Sequence, residues 1–188
     1  MAFTYTTRRG AKYYLHTGPK RGGGIQHYIS TKPKGPVAEA LPDGFEIYET
    51  VNGLAFLRRK KPSLIRDDEL ACLRRELGEK RGQKLYELEV TGDVIIVHEA
   101  ENMHSDLAGY LSLRPGVDLM AVARQFAQYM PVMRFVLQDK TARMFEPERY
   151  CFRGSVDDWI SIGAPDTIEP LAAKFLPHLG RDSFYELY

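Results

Sequence analysis

Asn52-Gly53 sits between two strand-forming runs, FEIYETV at 45–51 and LAFLRR at 54–59. Asn-Gly takes up the two positive φ angles of a type I′ turn readily, so the stretch reads as a tight β-hairpin. A two-residue turn sets Val51 against Leu54, Glu49 against Phe56, Tyr48 against Leu57 and Glu46 against Arg59, the last pair of opposite charge. The same grammar recurs along the chain. AKYYLHT (11–17) and IQHYIST (25–31) flank the loop Gly18-Pro19-Lys20-Arg21-Gly22-Gly23-Gly24, and Pro33, Gly35 and Pro36 end the second strand. Leu85 to Val90 alternates, turns at Gly92-Asp93 and returns as Val94 to Ala100, which places Glu87 against His98. Arg134 to Gln138 pairs with Ala142 to Phe145, and Pro147 interrupts that run before Tyr150-Cys151-Phe152.

Three segments have helical period instead. Leu70, Leu73 and Leu77 form a stripe behind Asp67, Asp68 and Glu69, with Gly78 as the stop. Asp118 caps a helix from Leu119 to Met130 that Pro131 ends. Thr167 or Asp166 caps a helix holding Leu171, Ala172 and Phe175, stopped by Pro177, and SFYELY closes the chain as an aromatic turn. Hairpin followed by helix thus occurs at 45–78, 85–130 and 134–176, the last two in step at an offset of 49 that aligns Phe126 with Phe175. The expected architecture is α+β: antiparallel hairpins form a sheet covered by about three helices, behind a basic N-terminal β-hairpin module. Residues 1–61 make the basic β-rich module and 62–188 the α+β body, with no linker of distinct composition to keep them from being one continuous domain.

A chain of 188 residues can bury about 70% of its unfolded surface, so its core needs neither disulfides nor a structural metal. Cys72 and Cys151 read as small buried residues of a reducing compartment. No apolar run is long enough to span a membrane and the start, MAFTYTTRRG, is polar, so the expected address is the cytoplasm. The net charge of +1 conceals a split: residues 1–61 carry 11 Lys or Arg against four acids, +7, and residues 62–188 carry 15 against 21, −6. Either the basic part meets a polyanion or the two parts attract each other.

Most candidate chemistries fail on spacing. The loop 18–24 resembles a phosphate cradle, but Gly24 leads into Ile25 and a strand, where a P-loop needs Lys and Ser or Thr at a helix start. His98, His104 and Asp106 form the densest metal-type cluster, yet Glu87 already accounts for His98 as a cross-strand partner. Asp157 and Asp158 beside Trp159 suggest an acid–base pair, against which Ser155 with Asp158 has the form of a capping box. His178, at a helix C-terminus, reads as structural, and no serine lies in a nucleophile elbow. No cofactor or metal is implied, and an enzyme is the least favoured class.

The N-terminal module gathers several signals. Arg8, Arg9, Lys12, Lys20, Arg21, Lys32 and Lys34 fall within 27 residues free of acids, interleaved with Tyr5, Tyr13, Tyr14 and Tyr28. Cations neutralise phosphates and tyrosine faces stack on bases, so Arg8, Arg9, Lys12, Tyr14, Lys20, Arg21, Tyr28, Lys32 and Lys34 are the expected nucleic-acid contacts of a non-enzymatic protein. The competing expectations are an edge hairpin kept soluble by its charges, and an interaction module that binds an acidic protein or the −6 part of a second copy. The strings YYLHTG, LPDGFEIYETVNGLAFLRR, GSVDDWI and LGRDSFYELY resemble a family of uncharacterised bacterial proteins over most of the chain. That resemblance implies a soluble bacterial protein with both parts in one family, and transfers no activity or partner.

Overall fold

A computed structural model of the chain describes residues 2–79, 85–101, 126–153 and 156–187. Its contacts separate into two compact units that divide after Lys61, with Phe126 belonging to the first. Among the described residues there are ten strands, all paired antiparallel, and two helices, an α+β architecture.

In the first unit β1 (Thr4–Thr6), β2 (Lys12–Pro19) and β3 (Ile25–Ser30) form a three-stranded sheet in sequence order. The β2–β3 loop is closed by Lys20 N–H to the Gly24 carbonyl, 3.0 Å, and Gly23 N–H to the Lys20 carbonyl, 3.0 Å. Gly22, Gly23 and Gly24 all take positive φ there, a run that side chains would not tolerate. One face of this sheet carries Tyr5, Tyr13, Leu15, His27 and Ile29; the other carries Lys12, Tyr14, His16 and Tyr28.

β4 (Phe45–Glu49) and β5 (Ala55–Arg59) form the expected hairpin in a register shifted by one. Glu49 faces Ala55, Tyr48 faces Phe56, Ile47 faces Leu57 and Glu46 faces Arg58. Gly53 takes φ 74° but Asn52 does not turn positive, so a type I′ turn is not formed. The loop has three residues instead, Val51-Asn52-Gly53, clasped by Thr50 N–H to the Leu54 carbonyl (2.9 Å) and Gly53 N–H to the Thr50 carbonyl (2.9 Å). The Thr50 hydroxyl accepts Leu54 N–H at 3.2 Å. Side-chain matching explains the choice: Phe45 and Ile47 share a face with Ala55 and Leu57, whereas the two-residue turn would have set Phe45 against Lys60 and Ile47 against Arg58. Arg58 pairs with Glu46 at 2.8 Å as a result.

The second unit is built on a sheet of order β10-β9-β8-β7-β6. Its strands are β6 (Tyr86–Thr91), β7 (Val94–Glu101), β8 (Gln128–Asp139), β9 (Met144–Arg153) and β10 (Val156–Ser161). α1 (Asp67–Glu79) and α2 (Ile168–Phe175) cover one face, followed by 3-10 turns at Leu176–His178 and Asp182–Glu186. Ile95, Val97, Met133, Phe135, Leu137 and Phe145 from the strands meet Leu73 of α1 and Leu171, Ala172 and Phe175 of α2. Burial of side chains of this size contributes roughly 1.5–3 kcal/mol each, which makes this face the core of the unit.

Residues 119–125 lie outside the described residues, but Gln128, Tyr129 and Met130 are strand, not helix. Tyr129 is buried between exposed neighbours, the period-two pattern of a strand. Pro131 therefore ends no helix. It sits in β8 opposite His98, at a bulge where Val97 already faces Met133, so the ladder is interrupted where proline has no N–H to give. Pro147 likewise lies inside β9, opposite Phe135. Its carbonyl accepts Ile162 N–H at 3.0 Å, so its missing donor faces the side where the β9–β10 ladder has not yet begun. Gly78 is an interior residue of α1 and not its stop. Asp157, Asp158 and Trp159 belong to β10, so Asp158 starts no helix and the expected capping box is not formed; Ser155 lies outside the described residues.

Gly163 is a space requirement. A Cβ there would lie 2.7 Å from the Phe175 ring, which is almost completely buried. Gly163→Ala is expected to cost about 1–3 kcal/mol by overpacking, measured by urea unfolding.

Candidate nucleic-acid interface

The register of β2 and β3 decides which N-terminal residues share a surface. Lys12 and Tyr14 lie along β2 with His16, and Tyr28 of β3 stands directly opposite His16. The Lys12 ammonium lies 5.5 Å from the centre of the Tyr14 ring. Tyr28 stacks on His16 with ring centroids 5.2 Å apart and planes 17° from parallel, and remains 43% exposed. A flat, supported and accessible ring is what a stacking platform requires.

His16 is the residue that sequence reasoning missed. It is 1% exposed, with Nε2 3.0 Å from the Lys32 carbonyl oxygen and Nδ1 3.3 Å from that of Pro36. Both partners are acceptors only, so the neutral ring donates to one and the doubly protonated ring to both. These contacts tie the segment after β3 to the back of the Tyr28 platform and bring the backbone at Lys32 beside it. The available signal was the alternation Lys12, Tyr14, His16, which puts all three on one face.

The nine expected contacts do not form one group. Arg8 is engaged inside the unit: its Nε and backbone N–H both reach Glu49 Oε1, at 3.1 and 3.0 Å, and Nη2 donates to the Thr50 carbonyl at 2.8 Å. The Arg9 side chain lies over Gly53, where a Cβ would come within 2.7 Å of its Cδ. Lys20 and Arg21 are exposed at the tip of the β2–β3 loop, and Lys32 and Lys34 are exposed beyond β3. Lys12 to Pro19 spans about 23 Å of strand, so cations stand at both ends of the tyrosine face. Lys12, Lys20, Arg21, Lys32 and Lys34 make no ion pair among the described residues. Tyr5 and Tyr13 point to the opposite face, and the Tyr5 hydroxyl donates to Glu49 Oε2 at 2.6 Å.

Glu49 thus collects Tyr5 and Arg8. Burial acts to raise its carboxyl, but the hydrogen bonds from Tyr5 and from Arg8, with the guanidinium charge, prevail and hold it below its ordinary 4.5. The Tyr5 hydroxyl is pushed up, chiefly by that hydrogen bond. A depressed carboxyl stabilises while ionised, so its contribution is complete above the ordinary carboxylate value and is lost as pH falls through the lower folded one. Acid titration followed by tyrosine fluorescence is expected to show the first unit weakening below pH 4.5, with less acid dependence in Glu49→Gln.

The other candidates are dispersed. His98 faces Glu87 as expected, but its Nε2 approaches Glu89, 2.9 Å from Oε2. His104 and Asp106 lie outside the described residues. Asp157 and Asp158 are consecutive in β10 and point to opposite faces, so they do not form an acid–base pair. Cys72 is raised by burial, the reverse of an activated thiolate, and Cys151 is buried. His178 Nδ1 lies 2.9 Å from the Ser183 hydroxyl, a structural contact. Among the described residues no group of three His, Cys, Asp or Glu side chains is placed to hold a metal ion, and no helix is long and apolar enough to cross a membrane. Comparison with protein-family models, with curated proteins and with solved structures yields no match to this chain.

Proposed function

We propose that this protein binds single-stranded nucleic acid through the Lys12–Tyr14–Tyr28 face of its N-terminal sheet, with phosphate contacts from Lys12, Lys20, Arg21, Lys32 and Lys34. The observation that carries the reading is the exposed Tyr28 ring, held flat by buried His16 on a face flanked by cations that make no ion pair among the described residues. Stacking tolerates any base and phosphate contacts carry no sequence information, so binding is weakly sequence-specific. A ring already immobilised by His16 loses little freedom on binding. No carboxylate precedes Glu39, so nothing in the sheet strands themselves repels a phosphate backbone.

Fluorescence anisotropy with labelled single-stranded oligonucleotides tests the proposal. Tyr28→Ala is expected to weaken binding by about 1–3 kcal/mol, the usual worth of a stacked base. Tyr13→Ala, on the opposite face, is expected to leave affinity unchanged in protein that remains folded. No binding by the wild type at low salt, or equal losses in the two variants, rejects it.

A further inference from the structure

The second unit carries an aromatic surface of the opposite electrical sign. On the face of its sheet away from α1 and α2, Tyr150 stands opposite Trp159, and Phe152 stands opposite Asp157. These four side chains form a square. The Tyr150 ring lies 4.5 Å from Phe152 at 52° and 5.0 Å from Trp159 at 89°. The Tyr150 hydroxyl donates to Asp157 Oδ1 at 3.0 Å, which fixes the carboxylate beside the rings. Phe152 is 63% exposed.

The protein itself demonstrates what such a surface accepts. Arg134, from the same face of β8, holds its guanidinium 4.5 Å from the Trp159 ring centre while ion-paired with Glu148. A cation between a carboxylate and an aromatic face is the arrangement favoured by cation–π attraction and by a charged hydrogen bond together. At the other end of the square, Asp157 with Phe152 and Tyr150 repeats the carboxylate and the rings without an internal cation among the described residues. Glu87, Glu89, Glu146, Glu148 and Asp157 share this face with Arg134 and His98 as the basic side chains among the described residues, by the register of the five strands, and His98 is taken up by Glu89. Phosphate is repelled by such a surface and a cation is attracted.

We propose that this face docks a basic polypeptide segment of a partner protein, whose arginine or lysine side chain enters the Asp157–Phe152–Tyr150 corner as Arg134 enters the Glu148–Trp159 corner. Trp159 is the sole tryptophan of the chain, so its fluorescence reports the site directly. The test titrates the full-length protein with an arginine-rich peptide lacking tryptophan, at low salt, and reads Trp159 emission and peptide anisotropy. Saturable binding with a change in Trp159 emission is expected. Phe152→Ala and Asp157→Asn are expected to weaken it by about two- to fivefold each, the range of an exposed cation–π contact or ion pair. Asp158→Asn removes the same charge from the opposite face of β10 and is expected to change nothing. Equal losses in Asp157→Asn and Asp158→Asn, or an unresponsive Trp159, overturn the proposal. A rise in particle mass with protein concentration alone, abolished by Asp157→Asn, also overturns it by assigning the face to a second copy of the chain.

Discussion

Glu69→Ala is expected to lower the stability of the C-terminal unit by about 2–4 kcal/mol, because removing the carboxylate leaves a partly buried guanidinium without its ion pair. Glu69 is buried near the start of α1, where its Oε2 accepts Arg66 N–H at 2.8 Å, one of the donors left open at a helix N-terminus. The same carboxylate takes both Nε and Nη2 of Arg143, at 2.8 and 2.6 Å, across 74 residues of chain. The hydrogen bond to Glu69 is also the chief cause that raises the Arg143 guanidinium further above its ordinary value. Without Glu69 the guanidinium retains the Leu64 carbonyl, 3.1 Å from Nη2, and the more distant charge of Asp68. Arg143 is the one non-glycine residue among the described ones with positive φ, at 58°. A left-handed residue costs about 1–2 kcal/mol, so the ion pair also holds the chain in a conformation it would otherwise leave. Arg143→Gly removes the strain and the charge, and is expected to be less destabilising than Arg143→Ala by about 1 kcal/mol. Urea unfolding followed by Trp159 fluorescence measures all three; a loss below 1 kcal/mol for Glu69→Ala contradicts the account.

The largest functional effect is expected from the five N-terminal cations that make no ion pair among the described residues. Replacing Lys12, Lys20, Arg21, Lys32 and Lys34 by glutamine removes five phosphate contacts at about 0.5–1 kcal/mol each, roughly a hundredfold or more in affinity at low salt. Arg8→Gln is the informative contrast. Its charge is committed to Glu49 and its Nη2 to the Thr50 carbonyl, so it is expected to weaken the fold and leave binding almost unchanged in protein that stays folded. A loss from Arg8→Gln as large as from Lys12→Gln contradicts the division between structural and available cations.

The local chemistry of the sequence located most of the elements, and what it missed was decided by contacts distant in sequence. The glycine loop at 18–24, the acid-rich start of α1 and the turn at Gly92-Asp93 are dictated by neighbouring residues, and all three stand where they were expected. Asn52-Gly53 marked a turn correctly and a register wrongly, because Ile47 against Leu57 outweighed the preference of one dipeptide. Pro131 and Pro147 read as breaks because proline lacks a donor, yet each occupies a place where the neighbouring strand asks for none. β10 went unseen since Asp157-Asp158 is a poor strand sequence; pairing with β9 and the Tyr150–Trp159 contact make it one. At the candidate interface, composition identified the cations and tyrosines without sorting them. Only pairing showed that Tyr14 and Tyr28 share a face, that Tyr5 and Tyr13 lie together on the opposite one, and that His16 lies beneath the platform.

The most direct test of the central claim is the salt dependence of oligonucleotide binding. Five phosphate contacts on a single strand give a slope of log Kobs against log salt of about −3.5, or roughly a hundredfold loss between 50 and 200 mM. The expected result is that slope in the wild type and a nearly flat line in the five-fold glutamine variant. A flat line in the wild type, or a slope the variant leaves unchanged, would contradict binding through this face.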